Sequence, residues 1–292
     1  MPVKIIGLIG YPLAHSISPA FQQAALDHVG IDARYELWET ERDALAERVA
    51  GIRRPDCLGA NVTVPHKELV VPMLDEIDPL AARIGAANTI VNRDGRLGGY
   101  NTDMTGFAHA LREEGSFDPT GAHVVLLGAG GAGRAATMAL VQAKAASVTI
   151  FDIAPERAQR LVEDLGRQGE TPLRGLPLGE DNLAAATKRC HLLVNCTPIG
   201  MRHSKEEHGL PMPAEFIHPD MLVFDIIYNP FETRFLAEAR RRGARTLGGL
   251  PMLVYQGAAS FELWTAGEAP LDVMFKAARK ALTPMAAKGS ED

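Results

Sequence analysis

The sequence predicts an α/β protein of two domains. An N-terminal α/β domain with a mainly parallel sheet is followed by a doubly wound domain of the Rossmann type. The 292-residue chain is longer than one core usually organises. Short β-rich runs alternate with helical patterns, which is typical of parallel sheets covered by helices. Residues 128–133 read GAGGAG directly after one such run, at the start of a second α/β series.

The first series is predicted from its alternating runs. Strands are expected at residues 4–9, 34–38 and 58–62, and helices at 19–29, 42–52, 67–74 and 79–84. Asp94-Gly95 is a strong turn signal, so residues 88–92 and 96–100 are expected to form a hairpin. A helix should begin near Asp103, and the turn-rich residues 116–121 mark a boundary.

The second series continues the same alternation. Strands are expected at residues 123–127, 147–151, 191–195, 221–226 and 245–247. Helices are expected at residues 134–144, 155–168, 232–242, 250–264 and 271–282.

Composition excludes several classes of function. A net charge of −6 argues against a nucleic-acid-binding protein. The three cysteines lack CxxC spacing and are expected to be reduced, with no disulfide framework and no metal site. The sequence shows neither a signal-peptide pattern nor an apolar run of the roughly 20 residues that span a bilayer. A cytoplasmic protein without a membrane partner is therefore predicted.

The glycine-rich run predicts a dinucleotide site. Gly128, Gly130 and Gly133 satisfy G-x-G-x-x-G, in which successive glycines permit the tight turn, the approach of the pyrophosphate and close helix–strand packing. The following helix N-terminus would offer free N–H groups to the phosphates. Asp152 lies 24 residues after Gly128, close to the spacing of an acid that binds a ribose hydroxyl. The alternative is a glycine-rich turn that binds nothing.

Asp152 also bears on the choice of cofactor. A carboxylate accepts the ribose hydroxyls of NAD and repels the additional phosphate of NADP. One cation, Arg157, stands close by in the sequence; the alternative for it is a solvated helix residue that pairs with an acidic neighbour. NAD is therefore the preferred cofactor, and NADP stays possible.

A lysine and a carboxylate are the candidate catalytic pair. Lys67 follows a predicted strand end, where open α/β sheets bind ligands, and Asp103 lies at a loop-to-helix junction. A lysine ammonium can give a proton to a forming alkoxide while a nicotinamide cofactor transfers a hydride. Asp103 would orient the lysine. The alternatives are a surface lysine and a plain helix N-cap. Neutral polar residues that suit a polyhydroxylated ligand accompany the pair, namely Asn61, Thr63, Asn88 and Asn101.

Two serines precede the first helix. Ser16 and Ser18 could seat a carboxylate at the helix N-terminus or simply cap the helix, and spacing favours neither. His66 could line the site, but a solvent position at a helix start is at least as good an interpretation.

Several ordered motifs resemble the shikimate dehydrogenase family, which includes the quinate/shikimate dehydrogenases, over residues 5–282. They are residues 10–19 (GYPLAHSISP), 59–67 (GANVTVPHK), 85–89 (GAANT), 101–103 (NTD), 128–133 (GAGGAG), 195–201 (NCTPIGM) and 252–256 (MLVYQ). The resemblance implies reversible reduction of 3-dehydroshikimate to shikimate. It implies a substrate-binding catalytic domain of residues 1–103 with 250–286 and a dinucleotide-binding domain of residues 104–249. The polar end of the sequence predicts a flexible tail of residues 287–292.

The resemblance also implies roles for particular residues. Lys67 matches the catalytic lysine and Asp103 its partner, and Ser16 and Ser18 match the carboxylate-binding serines. The other implied substrate contacts are Asn61, Thr63, Asn88, Tyr228 and Gln256. The implied cofactor contacts are Gly128, Ala129, Gly130, Gly131, Ala132, Asp152, Arg157, Thr197, Met201, Gly249 and Met252.

Two stretches depart from the family pattern. NADP-using members commonly carry Asn-Arg-Thr where this chain has Asp152-Ile153-Ala154, and Pro251 stands where the family often has glycine. Alternatives to a biosynthetic shikimate dehydrogenase are a catabolic quinate/shikimate enzyme using NAD, a methylenetetrahydrofolate dehydrogenase-like enzyme, and a catalytically silent module that senses shikimate-like ligands. The expected partner is a small-molecule substrate, and the expected state is a monomer or a homodimer.

Overall fold

A computed structural model describes residues 3–167 and 169–287. Its strands are β1 (Lys4–Gly10), β2 (Ala33–Glu39), β3 (Cys57–Val62), β4 (Glu76–Ile77), β5 (Thr89–Arg93), β6 (Arg96–Tyr100), β7 (His123–Leu127), β8 (Ser147–Asp152), β9 (Leu173–Pro177), β10 (Leu192–Asn195), β11 (Leu222–Asp225) and β12 (Arg245–Leu247). Its α-helices are α1 (Ser18–Val29), α2 (Leu45–Gly51), α3 (Pro79–Ile84), α4 (Asp103–His109), α5 (Gly131–Gln142), α6 (Pro155–Leu165), α7 (Glu180–Thr187), α8 (Arg234–Arg241), α9 (Leu250–Thr265) and α10 (Leu271–Ala287).

The described residues form two compact units, and each carries one six-stranded sheet. The first unit comprises residues 3–106 with 254–287, and the second comprises residues 107–253. The two sheets are mainly parallel, so the predicted α/β class is confirmed. The roles predicted for residues 1–103 with 250–286 and for residues 104–249 stay predictions.

The sheet of the first unit has the order β2-β1-β3-β5-β6-β4. Parallel pairing of β1 with β2 and β3 sends all three carboxyl ends to one edge. The predicted hairpin is confirmed, since β5 and β6 pair antiparallel and both Asp94 and Gly95 have positive φ. Apolar residues from β1, α2, β3 and the hairpin form the core on one face, including Ile9, Leu45, Val49, Ile52, Val62, Ile90 and Leu97.

The sheet of the second unit is wholly parallel in the order β9-β8-β7-β10-β11-β12. This is the doubly wound order with its switch point between β7 and β10, where such sheets bind ligands beyond the carboxyl ends of the strands. The segments that follow these two strands are the glycine turn beginning at Gly128 and the loop beginning at Cys196.

Some predicted elements are wrong in detail. Residues 67–74 form turns and one short 3-10 helix, Val71–Met73, because the carbonyl of Lys67 accepts the N–H of Ala87 at 2.8 Å instead of starting a helix. Residues 42–44 are also 3-10, so α2 begins later than expected. No pattern in the sequence pointed to β4 or α7, and β9 contains a glycine and a proline, which strands disfavour.

At its end, α10 extends to Ala287, five residues beyond the predicted limit. The predicted flexible tail lies, from residue 288 onward, outside the described residues. Within the part of the chain that the structure describes, no helix combines the length and the apolar character needed to cross a membrane.

Candidate active site

The predicted catalytic pair is in contact. Lys67 Nζ donates to Asp103 Oδ2 at 2.5 Å, and the two side chains are only 14% and 5% exposed. Asp103 is the first residue of α4, but its side chain does not cap the helix, because Asn101 Oδ1 accepts the Met104 N–H instead. The carboxylate is therefore directed to the lysine, and burial shields the pair from water.

Asn88 completes the setting of this pair. Its Nδ2 donates to Asp103 Oδ1 at 2.9 Å and to Gln256 Oε1 at 3.1 Å. Its Oδ1 accepts the backbone N–H of Thr102 at 2.7 Å. A backbone amide only donates, so this contact fixes which end of the Asn88 amide carries oxygen. Asp103 thus receives one hydrogen bond at each of its two oxygens.

Asn61 lies among buried polar groups. Its Oδ1 accepts from the Tyr35 hydroxyl at 2.7 Å, while its Nδ2 donates to Asn88 O at 3.2 Å and to Ser260 Oγ at 3.0 Å. Both ends of the amide are therefore engaged inside the first unit. A direct contact between Asn61 and substrate stays a prediction.

The remaining predicted substrate residues are distributed as follows. Ser16 Oγ accepts the N–H of Ser18, the first residue of α1, at 3.3 Å, so the serine pair does contribute a local contact at the helix start. Thr63 follows β3 and is half-buried. Gln256 lies in α9 and meets Asn88. Tyr228 belongs to the second unit, in the segment after β11.

His66 does not occupy the expected solvent position. Its side chain is fully buried, and Nε2 contacts Thr40 O at 2.7 Å. A carbonyl only accepts, so Nε2 carries a proton. Nδ1 finds no hydrogen-bond partner among the described residues.

The glycine turn has the backbone geometry of a dinucleotide-binding loop. Gly128 has a φ of +100°, which a residue with a side chain rarely adopts. A Cβ on Gly133 would lie 2.1 Å from Gly128 O, so only glycine allows α5 to pack on the turn. The helix starts at Gly131, three residues earlier than predicted, and its first N–H groups belong to the turn itself.

Asp152 and Arg157 both lie against this turn. Asp152 Oδ2 accepts the Ala129 N–H at 2.7 Å, and Oδ1 accepts the Ala154 N–H at 3.0 Å. Arg157 is exposed in the first turn of α6, and its Nη2 lies 3.3 Å from the Cβ position of Gly130. Ile153, between them, is 89% exposed.

The other predicted cofactor residues are in two segments of the second unit. Thr197 is held by Asn195 Oδ1, which accepts both its N–H and its hydroxyl, and its Cγ2 lies 3.1 Å from the Cβ position of Gly128. Met201 is in the same loop and is 41% exposed. Gly249 packs so closely on Ile226 that a Cβ would lie 2.0 Å from the Ile226 carbonyl oxygen. The buried Met252 follows in α9.

A buried carboxylate at the end of β11 was not predicted. Asp225 accepts from Thr233 Oγ1 at 2.7 Å, Asn195 Nδ2 at 3.0 Å and Ile227 N at 3.1 Å. Burial raises its pKa to about 6, and the hydrogen bonds from these three donors offset part of that rise. The sequence signal was a single acid at the end of an apolar strand.

Other features lie apart from these residues. A groove of about 880 Å³ lies along β2 and α2, but none of the predicted site residues lines it. Its lining includes four glutamates, which suits a carboxylated ligand poorly. Among the described residues, no cluster of three or more His, Cys, Asp or Glu side chains could hold a metal ion.

Comparisons with known proteins agree on one family. The family model for the shikimate dehydrogenase substrate-binding domain matches residues 8–90, and that for the shikimate 5'-dehydrogenase C-terminal domain matches residues 249–279. The NADP(+) shikimate dehydrogenase of Moorella thermoacetica is 45% identical over 95% of this chain and 93% of its own length.

Solved structures are similarly close. That of shikimate 5-dehydrogenase from Thermus thermophilus in complex with NADP(H) and shikimate has a TM-score of 0.84 and 39% identity, covering 96% of this chain and 100% of that chain. That of the Listeria monocytogenes enzyme in complex with shikimate and NAD has a TM-score of 0.85 and 32% identity, covering 94% and 96%.

Proposed function

Because the chain belongs to the shikimate dehydrogenase family, we propose that it catalyses the reversible NAD(P)-dependent reduction of 3-dehydroshikimate to shikimate, with Lys67 as proton donor and acceptor. The observation that carries the assignment is the shielded contact of 2.5 Å between Lys67 Nζ and Asp103 Oδ2. The implied pathway is the one that leads to chorismate and the aromatic amino acids.

The nicotinamide cofactor, when bound, supplies or accepts the hydride. In reduction, Lys67 Nζ gives one proton to the substrate oxygen as that oxygen gains charge; in oxidation the amine takes the proton back. Asp103 Oδ2 holds the ammonium in place, and Asn88 holds Asp103 through Oδ1. The pair is thereby suited to the reducing direction, in which the ammonium is the proton donor.

The residues of the second unit fit a dinucleotide. A Cβ on Gly130 would meet no atom nearer than Arg157 Nη2, at 3.3 Å, so the backbone of the turn is open to a pyrophosphate there, and the start of α5 supplies N–H groups for it. Asp152 is at the end of β8, where a carboxylate can accept ribose hydroxyls. Ser16 and Ser18 are proposed to bind the substrate carboxylate. The further proposed substrate contacts are Asn61, Thr63, Asn88, Tyr228 and Gln256.

Replacing the lysine tests the proposal. Lys67→Met should lower kcat by roughly 100-fold or more, because the proton donor is lost, while the Kd of shikimate measured by calorimetry changes little. Lys188→Met, at an exposed lysine after α7, is the matched control and should keep wild-type kinetics. Wild-type turnover in Lys67→Met would remove the lysine from the mechanism.

We propose further that this enzyme prefers NAD, although its curated relatives are named as NADP(+) enzymes. Asp152, which accepts the Ala129 N–H of the glycine turn, would bring a negative charge to the adenosine ribose, and the exposed Ile153 stands where NADP-using members commonly carry arginine. Arg157, at the glycine turn, is the nearby cation that would favour NADP. Initial rates with NAD and NADP should give at least a tenfold higher kcat/KM with NAD; a preference for NADP would show that Arg157 outweighs Asp152.

The same kinetics, run with shikimate and quinate, test the alternatives. We expect shikimate to be the better substrate, because quinate carries one additional hydroxyl that the site would have to accommodate. A catalytically silent sensing module would bind shikimate without any change in nicotinamide absorbance.

We propose that the protein is a cytoplasmic monomer or homodimer. The three free cysteines support a reducing compartment, and sedimentation would measure the oligomeric state.

A further inference from the structure

Three buried hydroxyls form a cluster in the first unit. Ser260 Oγ lies 2.7 Å from Thr89 Oγ1 and 3.0 Å from Thr102 Oγ1, and all three side chains are buried. We call Ser260, Thr89 and Thr102 the hydroxyl cluster. Its members come from α9, from the start of β5 and from the segment before α4.

The hydroxyl cluster is connected to the candidate catalytic pair. Thr102 Oγ1 lies 2.9 Å from Asn88 Nδ2, and Thr89 Oγ1 lies 3.1 Å from Asn88 Oδ1. Asn88 Nδ2 in turn donates to Asp103 Oδ1, and the second oxygen of Asp103 accepts from Lys67. An unbroken path of hydrogen bonds therefore leads from the cluster to the lysine ammonium.

We propose that Ser260 is a positioning residue for proton transfer, acting through the hydroxyl cluster on the Asn88 amide and so on Asp103 and Lys67. This inference rests on the proposed role of Lys67 as proton donor and acceptor. It also assigns a positioning role to Asn61, whose Nδ2 donates to Ser260 Oγ at 3.0 Å.

The position of Ser260 explains why one hydroxyl has this effect. It is one turn after Gln256 in α9, and its Oγ also contacts the Gln256 carbonyl at 3.0 Å. The hydroxyl therefore links α9, which carries Gln256, to Thr89 and Thr102, the two cluster residues that contact the Asn88 side chain. A buried polar network whose members are all paired becomes rigid, and proton transfer loses rate steeply when donor and acceptor are misplaced by about 1 Å.

Paired variants separate the hydroxyl from the shape of the side chain. Ser260→Ala should lower kcat for shikimate by roughly 10- to 100-fold and leave the KM of the dinucleotide within about twofold of wild type. Thr89→Val keeps the shape but removes the hydroxyl and should behave similarly, whereas Thr89→Ser should recover most of the activity. Thr265→Val is the matched control, because Thr265 makes the same contact within α9, to Phe261 O at 2.9 Å, outside the cluster.

A double-variant cycle tests whether the effect passes through the lysine. If it does, Ser260→Ala should lower kcat by less than about threefold in a Lys67→Met background. In that background the hydrogen bonds no longer have an ammonium to position. Two outcomes would overturn this inference and leave the proposed function standing. One is an equal loss of kcat on Ser260→Ala in both backgrounds, and the other is a wild-type kcat in Ser260→Ala while Lys67→Met is impaired. Full activity in Lys67→Met would overturn the proposed function and this inference with it. If Ser260→Ala does not fold, the Thr89 pair decides: equal activity of the valine and serine variants refutes the positioning role.

Discussion

Replacement of Asp225 by asparagine should change how stability depends on pH. Burial raises the pKa of Asp225 from 3.8 to about 6, which corresponds to roughly 3 kcal/mol. The folded state therefore binds the Asp225 proton more tightly than the unfolded state does. Its stabilising contribution is complete below pH 3.8 and is lost as the pH rises through about 6, whereas asparagine does not titrate. The free energy of unfolding of Asp225→Asn, relative to wild type, should thus rise by about 3 kcal/mol between about pH 4 and about pH 7.5.

The assay must follow the unit that contains Asp225. Trp38 and Trp264 both belong to the first unit, so tryptophan fluorescence reports on the other half of the chain. Hydrogen exchange of the β10 and β11 amides, measured across the pH range, gives local free energies of opening in the second unit.

Asp75→Asn is the control of opposite sign, and it is followed by tryptophan fluorescence because Asp75 belongs to the first unit. The pKa of Asp75 is lowered by the hydrogen bond from Arg53, so its contribution is present above pH 3.8 and is lost as the pH falls. A pH-independent difference between Asp225→Asn and wild type, or a difference that falls as the pH rises, would refute the assignment of a raised pKa to Asp225.

Two further predictions concern binding. Ser16→Ala combined with Ser18→Ala should raise the KM of shikimate by about tenfold and change kcat less than threefold, because a carboxylate is bound equally in the ground and transition states; a collapse of kcat at unchanged KM would show that the serines do not bind it. Asp152→Asn with Ile153→Arg should shift kcat/KM towards NADP, because like charges near a surface cost on the order of a few kcal/mol before screening. An unchanged ratio would mean that Asp152 does not face the 2'-phosphate, and kinetics at low and moderate salt would then show whether Arg157 governs the choice.

The local elements of the fold were largely predictable. The turn at Asp94-Gly95 and the G-x-G-x-x-G run depend on backbone conformations that neighbouring residues dictate, and both have the expected place in the structure. The segment after Lys67 was not predictable in the same way. Its residues suit a helix, but the Lys67 carbonyl is taken by Ala87, a partner 20 positions away.

The residue types of the candidate site were predictable from the sequence, but the contacts between them were not. Sequence spacing singled out Lys67, Asp103 and Asn88 as residues of the right chemistry, but their contact depends on β3, β5 and α4 meeting at one edge. His66 shows the reverse case, since its polar character suggested solvent and its packing buries it.

The sequence alone therefore determined the α/β class, the dinucleotide turn and the residue types of the candidate catalytic pair, because periodicity, turn chemistry and side-chain chemistry are local properties. Only the tertiary structure decided how that pair is supported. The hydroxyl cluster requires Ser260 to meet Thr89 and Thr102 across more than 150 positions of chain, and Asp225 becomes a perturbed acid only when burial removes water from it. Hydrogen bonds and desolvation depend on which groups the fold brings together, and spacing along the chain does not encode that proximity.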